Sequence, residues 1–121
     1  MKTILIVDDH AHIVKLIEFS LEEIDCRVET AHTGEEALSK AAKMQIDLII
    51  TDVKLPGVDG FETVRRIRQN ENCARLPVII MTGQGQSEVQ KQASGIDFAE
   101  FLTKPFSPTD LVHKARSLLA L

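Results

Sequence analysis

Apolar and polar positions along the chain switch repeatedly between two periods. Ile4-Leu5-Ile6-Val7 is a continuous apolar run closed by Asp8-Asp9, the pattern of a strand buried on both faces. Ile13, Leu16, Ile17, Leu21 and Ile24 then recur at helical spacing and predict an amphipathic helix of about three turns. A weaker, more polar strand follows around Val28, which suits a sheet edge. Thr33-Gly34-Glu35-Glu36 reads as a capping box opening a second helix, with Ala37, Leu38, Ala41 and Ala42 inward. Leu48-Ile49-Ile50 is the third strand. Asp59-Gly60-Phe61-Glu62 caps a third helix whose inner face is Phe61, Val64 and Ile67. Pro77 to Met81 is the fourth strand, with Pro77 at its entrance, where a missing N–H matters least. Ser87-Glu88-Val89-Gln90 opens a fourth helix, short and interrupted by Gly95, with Val89, Ala93 and, at its far end, Ile96 inward. Ala99 to Leu102 is the fifth strand. Ser107-Pro108 is an N-cap followed by an N1 proline, and Leu111, Val112, Ala115, Leu118 and Leu119 give the last helix one apolar stripe.

Buried strands joined by helices imply parallel βαβ units with right-handed crossovers. The expected class is therefore α/β: a doubly wound five-stranded parallel sheet in a (βα)5, flavodoxin-like three-layer sandwich. A second strand that reads as an edge favours the order 2-1-3-4-5. With 121 residues and no linker, repeat or low-complexity tract, residues 1–121 are expected to form one domain.

Composition narrows the function. Lys plus Arg number 14 and Asp plus Glu 18, a net charge of −4, which argues against the basic field of a nucleic-acid surface. Trp and Tyr are absent, so a base-stacking platform is unsupported. The longest apolar runs fall far short of the ~20 residues of a membrane span, and Asp8-Asp9 cut off the first before it could serve as a signal peptide. A cytoplasmic protein without membrane insertion is expected. Cys26 and Cys73 lie in no C-x-x-C pair and read as free thiols.

The chemistry collects at the strand ends. Strand 1 ends in Asp8-Asp9, strand 3 in Asp52, strand 4 in Thr82 and strand 5 in Lys104-Pro105. Open α/β sheets bind ligands at these carboxyl ends, where the strand order reverses, here between strands 1 and 3. Asp8, Asp9 and Asp52 should converge there, with Thr82 and Lys104 on the rim. Three adjacent carboxylates repel, and a hard dication relieves that repulsion. A partial oxygen set open to water and phosphate suits Mg²⁺ better than Ca²⁺. A carboxylate beside Mg²⁺, an ammonium and a hydroxyl can act as a nucleophile toward phosphorus and form an aspartyl phosphate.

The set Asp8-Asp9, Asp52-x-x-Leu55-Pro56-Gly57-x-Asp59-Gly60, Thr82-Gly83 and Lys104-Pro105-Phe106 resembles the receiver domain of two-component response regulators, across essentially the whole chain. The resemblance implies a signalling switch rather than a turnover enzyme. Asp52 would accept a phosphoryl group from a phosphohistidine on a sensor histidine kinase or a histidine phosphotransfer protein. Asp9, Asp52 and the backbone carbonyl of Lys54 would bind Mg²⁺ directly, and Asp8 mainly through a metal-bound water. Lys104 would contact the phosphoryl group, Thr82 would move toward it, and Phe101 would turn inward behind it. Lys104–Pro105 would be a cis peptide. Lys54 and Gln84 would flank the water that hydrolyses the phosphoryl group, with Lys54 slowing it. The resemblance also implies an output partner or output domain of unspecified kind, with no direct nucleic-acid contact by this domain.

Three residues depart from the commonest pattern: Gly83 follows Thr82 in place of Ala or Ser, Phe101 stands for the frequent Tyr, and Gly95 falls two residues early. Two other functions compete on the same architecture. A metal-dependent phosphohydrolase using Asp52 would need a second acid or base behind it and a capping insertion. A flavin mononucleotide binder would need a glycine- and hydroxyl-rich loop after strand 1 and aromatic flanks. The sequence offers neither set. His10 and His12 have metal-pair spacing but no further nitrogen or sulfur nearby, and read as solvated loop residues. His32, His113 and the cluster Arg65, Arg66 and Arg68 read as surface positions.

Overall fold

In a computed structural model, which describes residues 1–83, 89, 91, 96–98 and 100–121, five parallel strands form one sheet in the order β2-β1-β3-β4-β5. The strands are β1 (Lys2–Val7), β2 (Cys26–Ala31), β3 (Leu48–Asp52), β4 (Val78–Thr82) and β5 (Glu100–Thr103). Registers such as Ile4↔Leu48, Ile49↔Val78 and Ile79↔Glu100 align the strand ends on one edge. The described α-helices are α1 (Ala11–Leu21), α2 (Gly34–Lys43), α3 (Gly60–Ile67) and α4 (Pro108–Leu119), with a 3₁₀ turn at Glu71–Cys73. The helix expected from Ser87, with Ala93 and Gly95, falls largely outside the described residues, as does Ala99 at the expected start of the fifth strand. Of that helix's expected inward residues, Val89 is buried and Ile96 is half-buried.

The continuous apolar runs have a direct explanation. Leu5, Val7, Ile49, Val78 and Ile80 point to one face, where α2 and α3 cover them through Ala37, Ala41, Phe61, Val64 and Ile67. Ile4, Ile6, Leu48, Ile50, Ile79 and Met81 point to the other, under α1 and α4 through Val14, Ile17, Leu21, Leu111, Val112 and Ala115. A strand covered on both faces has no polar side to show. Each fully buried Ile or Leu adds about 1.5–3 kcal/mol relative to an exposed one. β2, by contrast, is half-exposed along most of its length, as befits an edge.

The helix starts follow their caps. Thr33 Oγ1 accepts from Glu36 N at 3.1 Å, Asp59 Oδ1 from Glu62 N at 2.8 Å, and Ser107 Oγ from Asp110 N at 3.3 Å. The return bond of the capping box is shifted by one residue, since Glu36 Oε1 accepts from His32 N rather than Thr33 N.

Two inward assignments are corrected. Leu16 is 42% exposed and Ala42 is exposed. Each is sequence neighbour to a buried residue, Ile17 and Ala41, and so lies about 100° round the helix from it. The inward place on α1 goes instead to Ser20, which is buried because its hydroxyl donates to Leu16 O at 2.8 Å.

Cys26 opens β2, and Cys73 ends the 3₁₀ turn. Both are free. They pack into the clusters on opposite faces of the sheet, Cys26 on β2 and Cys73 in the turn that leads into β4, and those two strands are three steps apart, or about 14 Å at ~4.8 Å per step. A disulfide needs Cα atoms within about 7 Å. Thiol titration of denatured, unreduced monomer is therefore expected to count two reactive groups; a count of zero would contradict this strand order.

Candidate active site

The carboxyl edge of the sheet carries the expected residues. Asp8 directly follows β1, Asp52 is the last residue of β3, Thr82 the last of β4, and Lys104 directly follows β5. Asp8 is fully buried and Asp52 is 5% exposed, while the Asp9 side chain is about one-third exposed. Buried carboxylates need partners. Asp8 Oδ1 accepts from His10 N at 2.9 Å and lies 2.9 Å from His10 Nδ1; its Oδ2 accepts from Lys104 Nζ at 3.1 Å. Lys104 Nζ also donates to Asp52 Oδ2 at 2.9 Å. One ammonium thus bridges the carboxylates that follow β1 and end β3.

The backbone holds this geometry. Lys104 N donates to Thr82 O at 2.8 Å and Val53 N to Met81 O at 3.1 Å, which fixes the strand ends to one another. Lys104–Pro105 is a cis peptide. After Val53 the chain returns through Gly57, at φ 75°, to Gly60, whose N donates to Val53 O at 2.8 Å. A Cβ at Gly60 would collide with the Asp52 carbonyl oxygen, so only glycine lets α3 start this close to the end of β3. Lys54 N makes a long contact of 3.4 Å to Asp52 Oδ1, and the Lys54 side chain is exposed. Gln84 lies outside the described residues.

Three carboxylates face one ammonium. Burial by itself would lower the Lys104 pKa, but the hydrogen bonds and charges of Asp52 and Asp8 outweigh it and hold the ammonium above the ordinary lysine value. Asp8, Asp9, His10 and Asp52 each bring a ligand atom within 4.8 Å of the others. An acidic set held by the Lys104 ammonium, one carboxylate open to solvent and the others anchored, is chemically suited to a hard dication.

The structure also corrects the reading of His10 and His12. His12 lies within α1 rather than in a loop, and the two rings meet edge to face at 6.0 Å between centroids. His10 occupies the N-cap position of α1 but caps nothing with its side chain. Its Nδ1 sits 2.9 Å from Asp8 Oδ1 and 3.3 Å from Asp9 Oδ1. The hydrogen bond to Asp8, then the charges of Asp9 and Asp8, raise its pKa. The missed signal was local: an Asp whose carboxylate accepts from the backbone N–H two residues on brings that residue's side chain back over it.

Phe101, on β5, is half-buried against the cluster under α2 and α3, and its carbonyl accepts from Lys114 Nζ at 2.8 Å. Thr82 is buried at 3% exposure and Gly83 is exposed.

Comparison with known proteins bears on this crevice. Residues 4–116 match the response regulator receiver domain. A similar curated protein is the DNA-binding dual master transcriptional regulator RpaA of Synechocystis, 39% identical over 98% of this chain and 49% of its own length. The chain spans about half the length of the curated relatives it matches. Among solved structures, the chemotaxis response regulator CheY4 of Vibrio cholerae superposes with a TM-score of 0.90 at 33% identity, covering 98% of this chain and 99% of that one. The receiver domain of a sensor histidine kinase from Pseudomonas aeruginosa was solved with a magnesium ion coordinated in its active site cleft. It is 28% identical, with a TM-score of 0.89 over 99% of this chain and 98% of that one. Asp8, Asp9, Asp52, Thr82 and Lys104 all fall inside the matched residues, and the chain belongs to the response regulator receiver domain family, the phosphorylation-dependent signalling domain of two-component systems.

Proposed function

We propose that Asp52 is the phosphoacceptor of this chain. It takes a phosphoryl group from a phosphohistidine on a sensor histidine kinase or a histidine phosphotransfer protein in the cytoplasm. The observation that carries this reading is the ammonium of Lys104 held between Asp52 Oδ2 and Asp8 Oδ2 at the point where the strand order reverses. An Asp52 carboxylate oxygen attacks phosphorus, the phosphorus–nitrogen bond breaks, and its electron pair leaves with the donor imidazole, which takes up a proton. Lys104 transfers its hydrogen bond from Asp52 Oδ2 to an oxygen of the incoming group, so its charge follows the charge being moved. Asp8 stays in place under His10 N and anchors Lys104. Asp9, Asp52 and the Lys54 carbonyl would hold Mg²⁺, with Asp8 acting through water, and a bound ion would supply positive charge to neutralise the phosphoryl oxygens. Thr82 and Phe101 are the proposed switch: the hydroxyl at the end of β4 moves toward the phosphoryl group and the ring on β5 follows it inward, altering affinity for an output partner or output domain. The same site performs the slow hydrolysis that resets the switch.

Direct transfer tests the proposal. Native chain mixed with acetyl phosphate is expected to gain one phosphoryl mass when Mg²⁺ is present and none when EDTA removes it. Gain independent of divalent metal would refute the metal-assisted step. A second expectation is thermodynamic. Mg²⁺ at a hundredfold excess over its dissociation constant should stabilise the fold by about 2.7 kcal/mol. Asp9→Asn should remove most of that gain. A melting temperature unmoved by millimolar Mg²⁺ would count against the metal site.

A further inference from the structure

The receiver reading above uses only oxygen ligands for the metal, yet His10 brings nitrogen to the same place. Its Nδ1 lies 2.9 Å from Asp8 Oδ1 and 3.3 Å from Asp9 Oδ1, and a ligand atom of His10 is within 4.8 Å of ligand atoms of Asp8, Asp9 and Asp52. The ring is drawn there by the backbone: His10 N donates to Asp8 Oδ1, which folds the residue back over the fully buried carboxylate. About half of the His10 side chain is exposed, so the imidazole borders solvent. His12, by contrast, is not in this group of ligand atoms.

We propose that His10 is a metal-selectivity residue, giving the acidic cleft a nitrogen donor that favours a first-row transition dication over Mg²⁺. The inference rests on the reading of Asp9 and Asp52 as metal ligands. Mg²⁺ is a hard ion that takes oxygen and keeps its waters, so an added imidazole contributes little to its binding. Imidazole suits Ni²⁺ and Zn²⁺, whose affinity for mixed nitrogen and oxygen sites far exceeds that of Mg²⁺. With oxygen donors alone, the cleft loses that extra discrimination.

The test compares Ni²⁺ and Mg²⁺ binding by calorimetry in tag-free native chain, His10→Asn, His12→Asn and Asp9→Asn. Asparagine keeps a polar side chain at the N-cap of α1, where it is well tolerated, so His10→Asn is expected to fold. The dissociation constant for Ni²⁺ should rise about tenfold or more in His10→Asn, while that for Mg²⁺ stays within about twofold. His12→Asn should change neither, and Asp9→Asn should weaken both. A second readout is the imidazole ¹⁵N spectrum. One equivalent of diamagnetic Zn²⁺ should shift the His10 ring nitrogens and leave His32 and His113 in place, and Mg²⁺ should shift none. Unchanged Ni²⁺ affinity in His10→Asn, or parallel loss of Ni²⁺ and Mg²⁺, would overturn the selectivity role while leaving the receiver reading intact. Absence of Mg²⁺ binding in native chain would instead overturn the receiver reading on which it rests.

Discussion

Asp52→Asn is expected to gain no phosphoryl mass under conditions that label the native chain fully. The amide keeps the size of the side chain but removes the anionic oxygen that attacks phosphorus. The neighbouring carboxylates are poor substitutes for different reasons. Asp8 is fully buried with both oxygens engaged, Oδ1 by His10 and Oδ2 by Lys104. Asp9 is open to solvent but makes no bond to Lys104 among the described contacts, so the ammonium that must follow the transferred charge is not on it. The rate of incorporation should fall by about a thousandfold or more, equivalent to about 4 kcal/mol of barrier. Intact-mass measurement over time with acetyl phosphate and Mg²⁺ reads this directly, and peptide mapping of the native product should place the group on Asp52. Equal labelling of the variant would remove Asp52 from its role.

Gly60→Ala should be the most damaging single-methyl change at the site. The added Cβ meets the Asp52 carbonyl oxygen, a backbone atom that no rotamer change can move aside. Neither side yields easily. The end of β3 is pinned by Val53 N on Met81 O, and the start of α3 by Gly60 N on Val53 O and the Asp59 cap on Glu62 N. Relief requires α3 to lift from the sheet, which thins its contacts through Phe61 and Val64. The expected cost is about 3 kcal/mol, or roughly 10 °C in melting temperature. Phosphoryl incorporation below the new melting point should fall as well, because Asp52 moves with its backbone. Gly83→Ala is the matched control: no atom of the described residues lies within 4 Å of a Cβ there, and its stability should stay within about 0.5 kcal/mol of native. Equal stability of the two variants would mean that the close approach at Gly60 is not rigid.

Much of the fold and site is legible in the sequence, for identifiable reasons. A strand buried on both faces must be apolar without interruption, and that constraint wrote Ile4 to Val7, Leu48 to Ile50 and Val78 to Met81 into the chain. The polar residues that break those runs then mark the sheet's carboxyl edge, so Asp8, Asp52 and Thr82 could be placed together from strand order alone. Helix faces were less legible. Periodicity locates a stripe but not its width, and on α1 it favoured Leu16 over Ser20, because a hydroxyl that satisfies itself on the helix's own carbonyl looks polar in sequence and behaves as buried. His10 was hidden for a related reason. Residue spacing describes regular elements, whereas its position comes from one backbone hydrogen bond in the turn between β1 and α1. The exposed Phe19, at 71%, shows the complementary limit: a large apolar residue need not lie on the apolar stripe.

The bridge from Lys104 to Asp8 and Asp52 has a bearing on how the chain is made. Its partners are 96 and 52 residues away in sequence. During synthesis the acidic residues emerge before β5, and the Lys104 ammonium only after it. A nascent chain that has completed β1 and β3 carries the electrostatic repulsion of the crevice without the Lys104 ammonium to offset it, at the stage when those two strands must pair. Early pairing of the central strands is thus opposed by the same carboxylates that later serve the site, and domains with many non-local contacts already fold slowly. The arrival of β5 and the residue after it does more than add an edge strand: it brings the ammonium that offsets part of the crevice's charge, and so ties closure of the active site to completion of the sheet.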